Sequence, residues 1–224
     1  AEEGRSVTVD SHSSSSFLYL TGLTEGALQG SNLGNYDVFL AKYTIAGSKS
    51  WSSTVRQMGT SSGEQGYGVT VDSSGNIYVT GITAGALDSE ANSGNNDIFL
   101  VKYNSSGDKQ WTKLLGTSSD EDGNGVTVDS SGNIYVTGRT GGALDSIANS
   151  GSSDIFLVKY DSTGEKLWTK LLGTSSDDYG FGVTVDSSDN IYVTGYTAGG
   201  LDNNSNSGSL DIFLVKFNSD GVKQ

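Results

Sequence analysis

Between residues 123 and 138 the sequence reads GNGVTVDSSGNIYVTG, and copies of this stretch return along the whole chain. Close copies occupy residues 66–81 and 180–195, and a more divergent copy occupies residues 4–22. Self-similarity at a fixed period is the signature of an architecture built from repeated structural units. The fold is therefore expected to consist of one structural unit that is repeated along the chain.

The quoted stretch is itself expected to form a β-hairpin. A short β-branched run, residues 126–128, is followed by a turn sequence and by a second apolar run, residues 133–137. This arrangement is typical of two strands joined by a tight turn. We expect Asp129 to accept backbone N–H bonds across the turn and Gly132 to take a positive φ.

Two further strands complete each unit. In the third unit a polar connection leads to the apolar run 154–160, and a second turn leads to the run 166–172. The run DIFLVKY of residues 154–160 recurs in near-identical form at intervals of about 57 residues. Four repeats therefore fill one predicted domain, 1–224, with approximate boundaries 1–59, 60–116, 117–173 and 174–224.

Four antiparallel strands make a sheet of the size of a propeller blade, and such sheets are stable when neighbours cover their faces. We predict an all-β β-propeller of four four-stranded blades, with the strands ordered from axis to rim as in the sequence. The third strand of each blade is apolar on both faces, which suits a position between sheets. The fourth carries lysines, which suit an exposed edge.

The repeat resembles a known family. The string Gly-x-Gly-Val-Thr-Val-Asp-Ser-Ser-Gly-Asn-Ile-Tyr-Val-Thr-Gly, followed by Asp-Ile-Phe-Leu-Val-Lys-Tyr, resembles the SBBP-type β-propeller repeat of bacterial secreted and surface proteins. It is similar, more distantly, to the NHL propeller repeat. The resemblance implies a propeller with an extracellular or cell-surface location, and it brings no catalytic motif.

The last unit departs from the pattern. The other three units continue into a fourth strand through Trp51, Trp111 or Trp168, whereas the sequence ends at Gln224, before that point. The last blade is therefore expected to lack its outer strand and to expose the strand 211–217, which could pair with another chain. Three alternatives stay open: a piece of a longer array, a four-bladed ring with one open edge, and a subunit completed by another chain.

Composition and charge exclude several classes of partner and site. The formal net charge of −13 repels phosphate backbones and anionic lipids, so neither nucleic acid nor membrane insertion is expected. There is no cysteine, which excludes disulfides and thiolate chemistry. The single histidine, His12, lies in a polar turn and is interpreted as a surface residue, not as the base of a catalytic triad.

An acidic residue stands just before each inner strand: Glu2, Glu64, Glu121 and Asp178. If the blades surround an axis, these carboxylates approach one mouth of the channel, where they are either solvated or hold a cation such as Ca²⁺. Solvated loop acids are the favoured interpretation, and no other cofactor is expected. The hairpin aspartates Asp72, Asp129 and Asp186 lack the dense carboxylate spacing of a calcium loop and are assigned to the turns.

Positions that differ between the copies are the better candidates for recognition. They border loops at one end of the blades, where aromatic and arginine side chains can stack on sugars or anchor a protein. Drift at packing positions explains the same variation equally well. The candidate ligand-binding residues are Tyr67, Asn124, Arg139, Phe181 and Tyr196.

These observations favour a non-catalytic extracellular structural or adhesive module that makes protein contacts and self-assembles through the open edge of the last blade. The alternative is a glycan or small-ligand binding module at the variable positions. A hydrolase using the acids at the channel mouth is a third alternative, although no catalytic constellation is visible. Asn104 and Asn203 begin N-glycosylation sequons, and chance matches are expected in so Asn- and Ser-rich a chain.

Overall fold

The structure, a computed structural model, describes residues 1–11, 16–28, 31–51 and 55–224; His12 lies outside the described residues. Nearly all the regular structure in this part of the chain is β-strand, arranged in four antiparallel sheets. The sheets are the four blades of a β-propeller, which confirms the predicted fold class. Within the described ranges three blades have four strands and the last has three, which confirms the prediction that the last blade in this sequence lacks an outer strand.

The chain forms two compact units, Ala1–Leu115 and Gly116–Gln224, with two blades in each. The single domain expected over residues 1–224 stays a prediction. Blade 1 comprises β1 (Glu2–Asp10), β2 (Phe17–Thr24), β3 (Asp37–Thr44) and β4 (Val55–Met58), and blade 2 comprises β5 (Glu64–Val71), β6 (Ile77–Thr83), β7 (Asp97–Tyr103) and β8 (Lys109–Leu115).

The second unit repeats the arrangement. Blade 3 comprises β9 (Glu121–Val128), β10 (Ile134–Thr140), β11 (Asp154–Tyr160) and β12 (Lys166–Leu172), and blade 4 comprises β13 (Asp178–Val185), β14 (Ile191–Thr197) and β15 (Asp211–Phe217). Short 3-10 helices, Leu144–Ser146 and Leu201–Asn203, lie between the second and third strands of these blades. No helix among the described residues is long and apolar enough to cross a membrane.

The hairpin turns have the predicted chemistry. Asp129 Oδ1 accepts the backbone N–H groups of Ser131 (2.9 Å) and Asn133 (2.8 Å), and Gly132 has a φ of 83°. In blade 4 a non-glycine residue, Asp189, takes the same left-handed conformation (φ 59°). Aspartate is one of the few side chains that tolerate this region, so the turn survives the loss of its glycine.

Packing between two blades holds each unit together, and it involves opposite faces of the two sheets. In unit 2 the packed residues are Tyr135, Ile155 and Leu157 of blade 3 with Ile191, Val193, Phe213 and Val215 of blade 4. In unit 1 they are Tyr19, Val38 and Leu40 of blade 1 with Val69, Val71, Val79, Phe99 and Val101 of blade 2. We call the side of a blade that meets the next blade its forward face and the opposite side its backward face.

Backbone and lysine contacts fix the spacing of the packed blades. A Cβ on Gly125 would lie 2.7 Å from the carbonyl oxygen of Phe181, so only glycine lets the inner strand of blade 4 lie against that of blade 3. Lys159 Nζ reaches from the forward face to the Ser219 carbonyl of blade 4 at 3.0 Å. The equivalent contact in unit 1, from Lys42 Nζ to the Ser105 carbonyl, measures 3.2 Å.

Candidate functional site

The carboxylates at the starts of the inner strands are buried structural groups. Glu121 is fully buried, and it accepts hydrogen bonds from the Thr117 backbone N–H (2.6 Å), the Thr117 hydroxyl (2.7 Å) and the Thr140 hydroxyl (2.9 Å). Glu64 makes the same three contacts with Thr60 and Thr83. The expectation of solvated loop acids is therefore wrong for these positions, because the loop before each strand folds back over its carboxylate.

Asp178 occupies the equivalent place in blade 4 with a shorter side chain. It is also fully buried, and its Oδ2 accepts from the Thr174 N–H (2.6 Å) and the Thr174 hydroxyl (2.9 Å). Its Oδ1 has no hydrogen-bond partner among the described residues, whereas the longer glutamates also reach a threonine of the second strand. The aspartate side chain is one methylene group shorter than that of glutamate, which accounts for the missing hydrogen bond to the second strand.

Glu2, the fourth of these acids, is exposed at the start of β1. In the part of the chain that the structure describes, no group of three or more histidine or acidic side chains is placed to hold a metal ion. Calcium binding at Glu2, Glu64, Glu121 and Asp178 stays a prediction.

Three of the variable positions meet in unit 2. The rings of Tyr179 and Tyr196 stack with centroids 4.8 Å apart and planes 20° apart, and Phe181 packs against Tyr196 at 5.6 Å. The guanidinium carbon of Arg139 lies 5.0 Å from the Tyr179 centroid. We call these four residues the aromatic cluster, and Phe181, with 49% of its surface exposed, is its most accessible member.

Asp122 holds Arg139 in this position. Arg139 Nε donates to Asp122 Oδ2 at 2.5 Å, and Arg139 NH1 donates to the Ser153 hydroxyl at 3.3 Å. Burial alone would lower the pKa of the guanidinium, but the hydrogen bond to Asp122 and its charge outweigh burial and raise the pKa. Burial also raises the pKa of Tyr196, with the neighbouring Tyr179 and Asp177 adding to the shift.

The remaining variable residues have separate roles. Asn124 Nδ2 donates to the Gly180 carbonyl at 2.8 Å, next to Phe181, which stands at a bulge in β13. Tyr67 belongs to unit 1, where the Arg5 guanidinium carbon lies 5.0 Å from its ring centroid. An arginine over the ring of the next blade thus occurs in both units. The sequence contained the candidates, but the partners Asp122 and Tyr179 follow from cross-strand register alone.

The forward face of blade 4 is an exposed apolar surface. Ile212 is 92% exposed and Leu214 is 72% exposed, whereas their counterparts on blade 3, Ile155 and Leu157, are each 2% exposed. Tyr179, Tyr196 and Ile212 are cross-strand neighbours, so the aromatic cluster borders the same surface. Monomeric proteins rarely leave contiguous apolar surface uncovered without a functional reason.

The backward face of blade 1 is exposed in a complementary way. Val7 is 62% exposed and Val9 is 51% exposed, whereas their counterparts on blade 2, Val69 and Val71, are buried. Gly4 is uncovered as well, since a Cβ there would meet only the side chain of Leu20, at 3.3 Å. At Gly180, the equivalent glycine of blade 4, a Cβ would lie 2.7 Å from the Thr137 hydroxyl of blade 3.

The two sequon asparagines have different surroundings. Asn104 is part of a turn, in which its Oδ1 accepts the N–H groups of Ser106 and Asp108 and its Nδ2 donates to Asp108. Asn203 is exposed and has a φ of 63°. Glycosylation at either residue stays a prediction.

Comparison with known proteins places the chain among propellers. Three segments, residues 55–87, 110–144 and 167–202, match the SBBP family, described as a β-propeller repeat. Each matched segment begins in or near the outer strand of one blade and runs through the inner hairpin of the next. The repeat recognised in sequence is therefore offset from the structural blade.

Two curated proteins are similar in sequence. An uncharacterized WD repeat-containing protein of Acanthamoeba polyphaga mimivirus is 28% identical over 194 residues, covering 69% of this chain and 14% of that protein. The regulatory protein FlaEY of Caulobacter vibrioides is 26% identical over 167 residues, covering 67% of this chain and 18% of that protein. The chain thus spans less than a fifth of the length of either relative.

Among solved structures, a protein of unknown function from Bacteroides caccae aligns with a TM-score of 0.49 and 12% identity, over 100% of this chain and 82% of that one. The repeated sequence, the four blades and the three matched segments agree with one another. The chain thus folds as a four-bladed β-propeller and contains three segments that match the SBBP β-propeller repeat.

Proposed function

We propose that the chain is a non-catalytic protein-interaction module that self-assembles head to tail, with the forward face of blade 4 of one copy against the backward face of blade 1 of another. One observation carries the proposal: Leu214 is 72% exposed while the equivalent Leu157 is 2% exposed beneath blade 4. Covering a large aliphatic side chain stabilises by about 2 kcal/mol.

The two exposed faces reproduce the contacts of the packed blades. Gly182 on the forward face of blade 4 is open, because a Cβ there would meet only Thr194, at 3.1 Å. Its equivalent Gly125 is the residue on which the inner strand of blade 4 lies. Lys216 corresponds to Lys159, and in the assembly it donates to the carbonyl of Ile45 in the second copy, the counterpart of Ser219.

The face supports self-assembly better than the open edge of β15 does. The described fourth strands β4, β8 and β12 are each paired within their own blade, so a second copy has no spare strand of this kind to lend. The backward face of blade 1, by contrast, is exposed in every copy. Heterologous contacts of this type build rings or open filaments.

The relatives support an interaction role and not a particular partner. One is named as WD repeat-containing and the other as a regulatory protein, and neither name describes a catalytic activity. An extracellular or cell-surface location is part of the proposal, and it rests on the resemblance to secreted SBBP proteins. Protection of the intact cell's copy from added protease would contradict that location.

The molar mass in solution tests self-assembly. Light scattering after size exclusion should give a mass that rises with concentration for the parent chain. Leu214→Lys and Val7→Lys should each give monomers, because a charge replaces an apolar contact on one of the two faces. Leu167→Lys is the matched control, since Leu167 is an exposed leucine on the outer strand β12.

A mixture of the two variants distinguishes head-to-tail packing from any symmetric contact. Leu214→Lys retains an intact blade 1 and Val7→Lys retains an intact blade 4. Together they should form a dimer and nothing larger, because each supplies the one surface the other lacks. A monomeric parent chain, or a mixture that stays monomeric, would contradict the proposal.

The aromatic cluster supports a second candidate function, the binding of a glycan or small ligand. Stacked rings beside a guanidinium held by Asp122 offer an apolar platform with hydrogen-bond donors, which suits sugar rings. Glycan-array binding that is lost in Phe181→Ala and retained in Tyr67→Ala would support this function. Silence of the parent chain on a broad array would contradict it.

A further inference from the structure

The inner hairpin of blade 1 differs from those of the other three blades. In blades 2, 3 and 4 the aspartate that begins the turn accepts a hydrogen bond from a tyrosine hydroxyl of the next strand, as Asp129 does from Tyr135 at 2.9 Å. The ladder register gives Asp10 and Tyr19 the same positions in blade 1. Tyr19 is fully buried, but its hydroxyl has no hydrogen-bond partner among the described residues. The contact that ties the tyrosine to the turn in the other blades is therefore not made in blade 1.

A second difference is that Phe17 stands where the other blades have an asparagine. In blade 3, Asn133 Nδ2 donates to Asp129 Oδ2 at 2.7 Å, and the asparagines of blades 2 and 4 make the equivalent contact. A phenylalanine side chain has no hydrogen-bond donor. Its ring lies against Lys42 instead, with the centroid 4.0 Å from Nζ.

Lys42 is a buried amine enclosed by aromatic rings. Its Nζ donates to the Ser105 carbonyl of blade 2 at 3.2 Å, and the ring centroids of Tyr19 and Trp51 lie 5.3 Å and 5.9 Å from the same atom. Burial lowers the pKa of Lys42, although the charge of Asp10 opposes the shift. The neutral amine, which is the nucleophilic form, is therefore more populated here than in an exposed lysine.

A cavity of about 420 Å³ lies beside this amine, between blades 1 and 2 of unit 1. Its lining comprises Asp10, Phe17, Lys42, Ser73, Ser74 and Ser105, together with a turn glycine. The volume is that of a small-molecule site. In unit 2 the corresponding turns of blades 3 and 4 contact each other, since the Ser130 hydroxyl donates to Asp189 Oδ1 at 3.3 Å. The surroundings of Lys42 thus differ from those of Lys159, although the two lysines occupy equivalent positions.

We propose that Lys42 is a carbonyl-reactive lysine and that the cavity beside it binds a small aromatic aldehyde, which condenses with Nζ. The amine nitrogen forms a bond to the carbonyl carbon, and the carbonyl oxygen leaves as water with the two amine hydrogens. The product is an imine. Its aromatic substituent packs against the ring of Phe17.

The charges around the cavity favour a neutral carbonyl compound over an anion. The Asp10 carboxylate lines the cavity, and the chain carries a formal net charge of −13, so anions are repelled. The hydroxyls of Ser73 and Ser74 are donors that suit an aldehyde oxygen. After condensation, Asp10 supplies the countercharge for the protonated imine.

This site is separate from the surfaces proposed for self-assembly. Lys42 reaches from the forward face of blade 1 towards blade 2, whereas self-assembly uses the opposite, backward face of blade 1. Condensation at Lys42 is therefore expected both in a monomer and in an assembly.

Reductive trapping with benzaldehyde at neutral pH tests the proposal. Cyanoborohydride transfers hydride to the imine carbon and makes each condensation permanent, and fragment mass spectrometry then gives the rate at each lysine. Lys159 is the matched control, because it is 8% exposed, against 7% for Lys42, and makes the equivalent carbonyl contact at 3.0 Å. Labelling of Lys42 should be about tenfold faster than that of Lys159.

The dependence on benzaldehyde concentration tests the cavity. The rate at Lys42 should reach a plateau, because the aldehyde binds before it reacts, whereas the rate at the exposed Lys49 should rise in proportion. Both measurements use the parent chain and need no variant to fold. Labelling of Lys42 no faster than that of Lys159, or without a plateau, would overturn the proposal.

Phe17→Asn tests the role of the aromatic wall. It installs the residue that the other blades have at this position and removes the ring that lies against Nζ. Labelling of Lys42 should fall to about the rate at Lys159, while labelling of Lys49 stays the same, and the thermal unfolding midpoint shows that the variant is folded. Unchanged labelling of Lys42 in the folded variant would count against the assigned site.

Discussion

Blades 3 and 4 of the second unit have almost the same sequence and different surroundings. Their third strands, β11 and β15, read DIFLVKY and DIFLVKF. Leu157 in the first is buried beneath blade 4, while Leu214 in the second is 72% exposed. The sequence of each blade therefore specifies its strands and turns. The blades that pack against it determine whether its apolar face is buried or exposed.

The largest expected difference between the two blades concerns these leucines. Leu157→Ala should lower the free energy of unfolding by about 3 kcal/mol, because it leaves a cavity between packed blades. Leu214→Ala should change it by less than about 0.5 kcal/mol, because the side chain is already solvated. Urea unfolding at a concentration where the chain is monomeric measures both. Equal losses would show that blade 4 is covered in solution.

The second largest difference in stability is expected between substitutions of two buried carboxylates, Glu121 in blade 3 and Asp178 in blade 4. Three charge-assisted hydrogen bonds hold the native carboxylate of Glu121. Glu121→Gln places an amide N–H group opposite a hydroxyl or backbone N–H donor, so it should lower the free energy of unfolding by about 2 kcal/mol. Asp178→Asn should cost less than about 1 kcal/mol, because the new amide can occupy the place of the unpartnered Oδ1. Thermal unfolding gives the ranking, and the reverse order would contradict this account of the two sites.

A smaller difference in stability is expected between substitutions of two equivalent inner-strand glycines, Gly125 in blade 3 and Gly182 in blade 4. Gly125→Ala should destabilise by roughly 1.5 kcal/mol, because the new methyl group meets the Phe181 carbonyl oxygen at 2.7 Å and forces the blades apart. Gly182→Ala should cost less than about 0.5 kcal/mol in the monomer, since only a Thr194 methyl group must yield. Denaturant midpoints of the two variants measure the contrast, and a larger loss for Gly182→Ala would contradict it.

The smallest expected effect is a pH dependence at the hairpin turn of blade 4. The Asn190 side chain, followed by backbone N–H groups, lowers the pKa of Asp186 to about 2. Because the folded-state pKa lies below the unfolded value of about 3.9, the stabilisation is complete above about pH 4 and is lost as the pH falls towards 2. Carboxyl NMR titration should give the low midpoint, and Asp186→Asn should remove this part of the acid dependence of stability.

The sequence predicted only some of the residues of the candidate site. Variation between copies singled out Arg139, Phe181 and Tyr196, and the structure brings these residues together with Tyr179. The acids before the inner strands were expected to be solvated, whereas Glu64, Glu121 and Asp178 are buried. The error arose because a threonine four residues earlier folds over each carboxylate, which no hydrophobic pattern signals.

The aspartates that bind the fourth strands were missed for a related reason: Asp88 accepts a hydrogen bond from the Thr112 hydroxyl of β8, and Asp145 accepts one from the Thr169 hydroxyl of β12. Asp88, Asp145 and Asp202 lie in polar loops that sequence alone cannot tell from inert connections. The signal that could have found them is their recurrence at the same place in three repeats. Their role depends on a left-handed backbone that brings the carboxylate to the fourth strand, and this is a matter of loop conformation.

The sequence by itself determined the blade: β-branched runs specify strands, Asp and Gly at fixed offsets specify turns, and each copy of the repeat specifies one blade. The formation of strands and turns depends on residues that are close together in the sequence. Only the tertiary structure decided which acids are buried, which aromatic rings meet and which of two nearly identical strands remains open. Burial is a property of neighbours, and blade 4 has a neighbour on its backward face but leaves Ile212 and Leu214 in water.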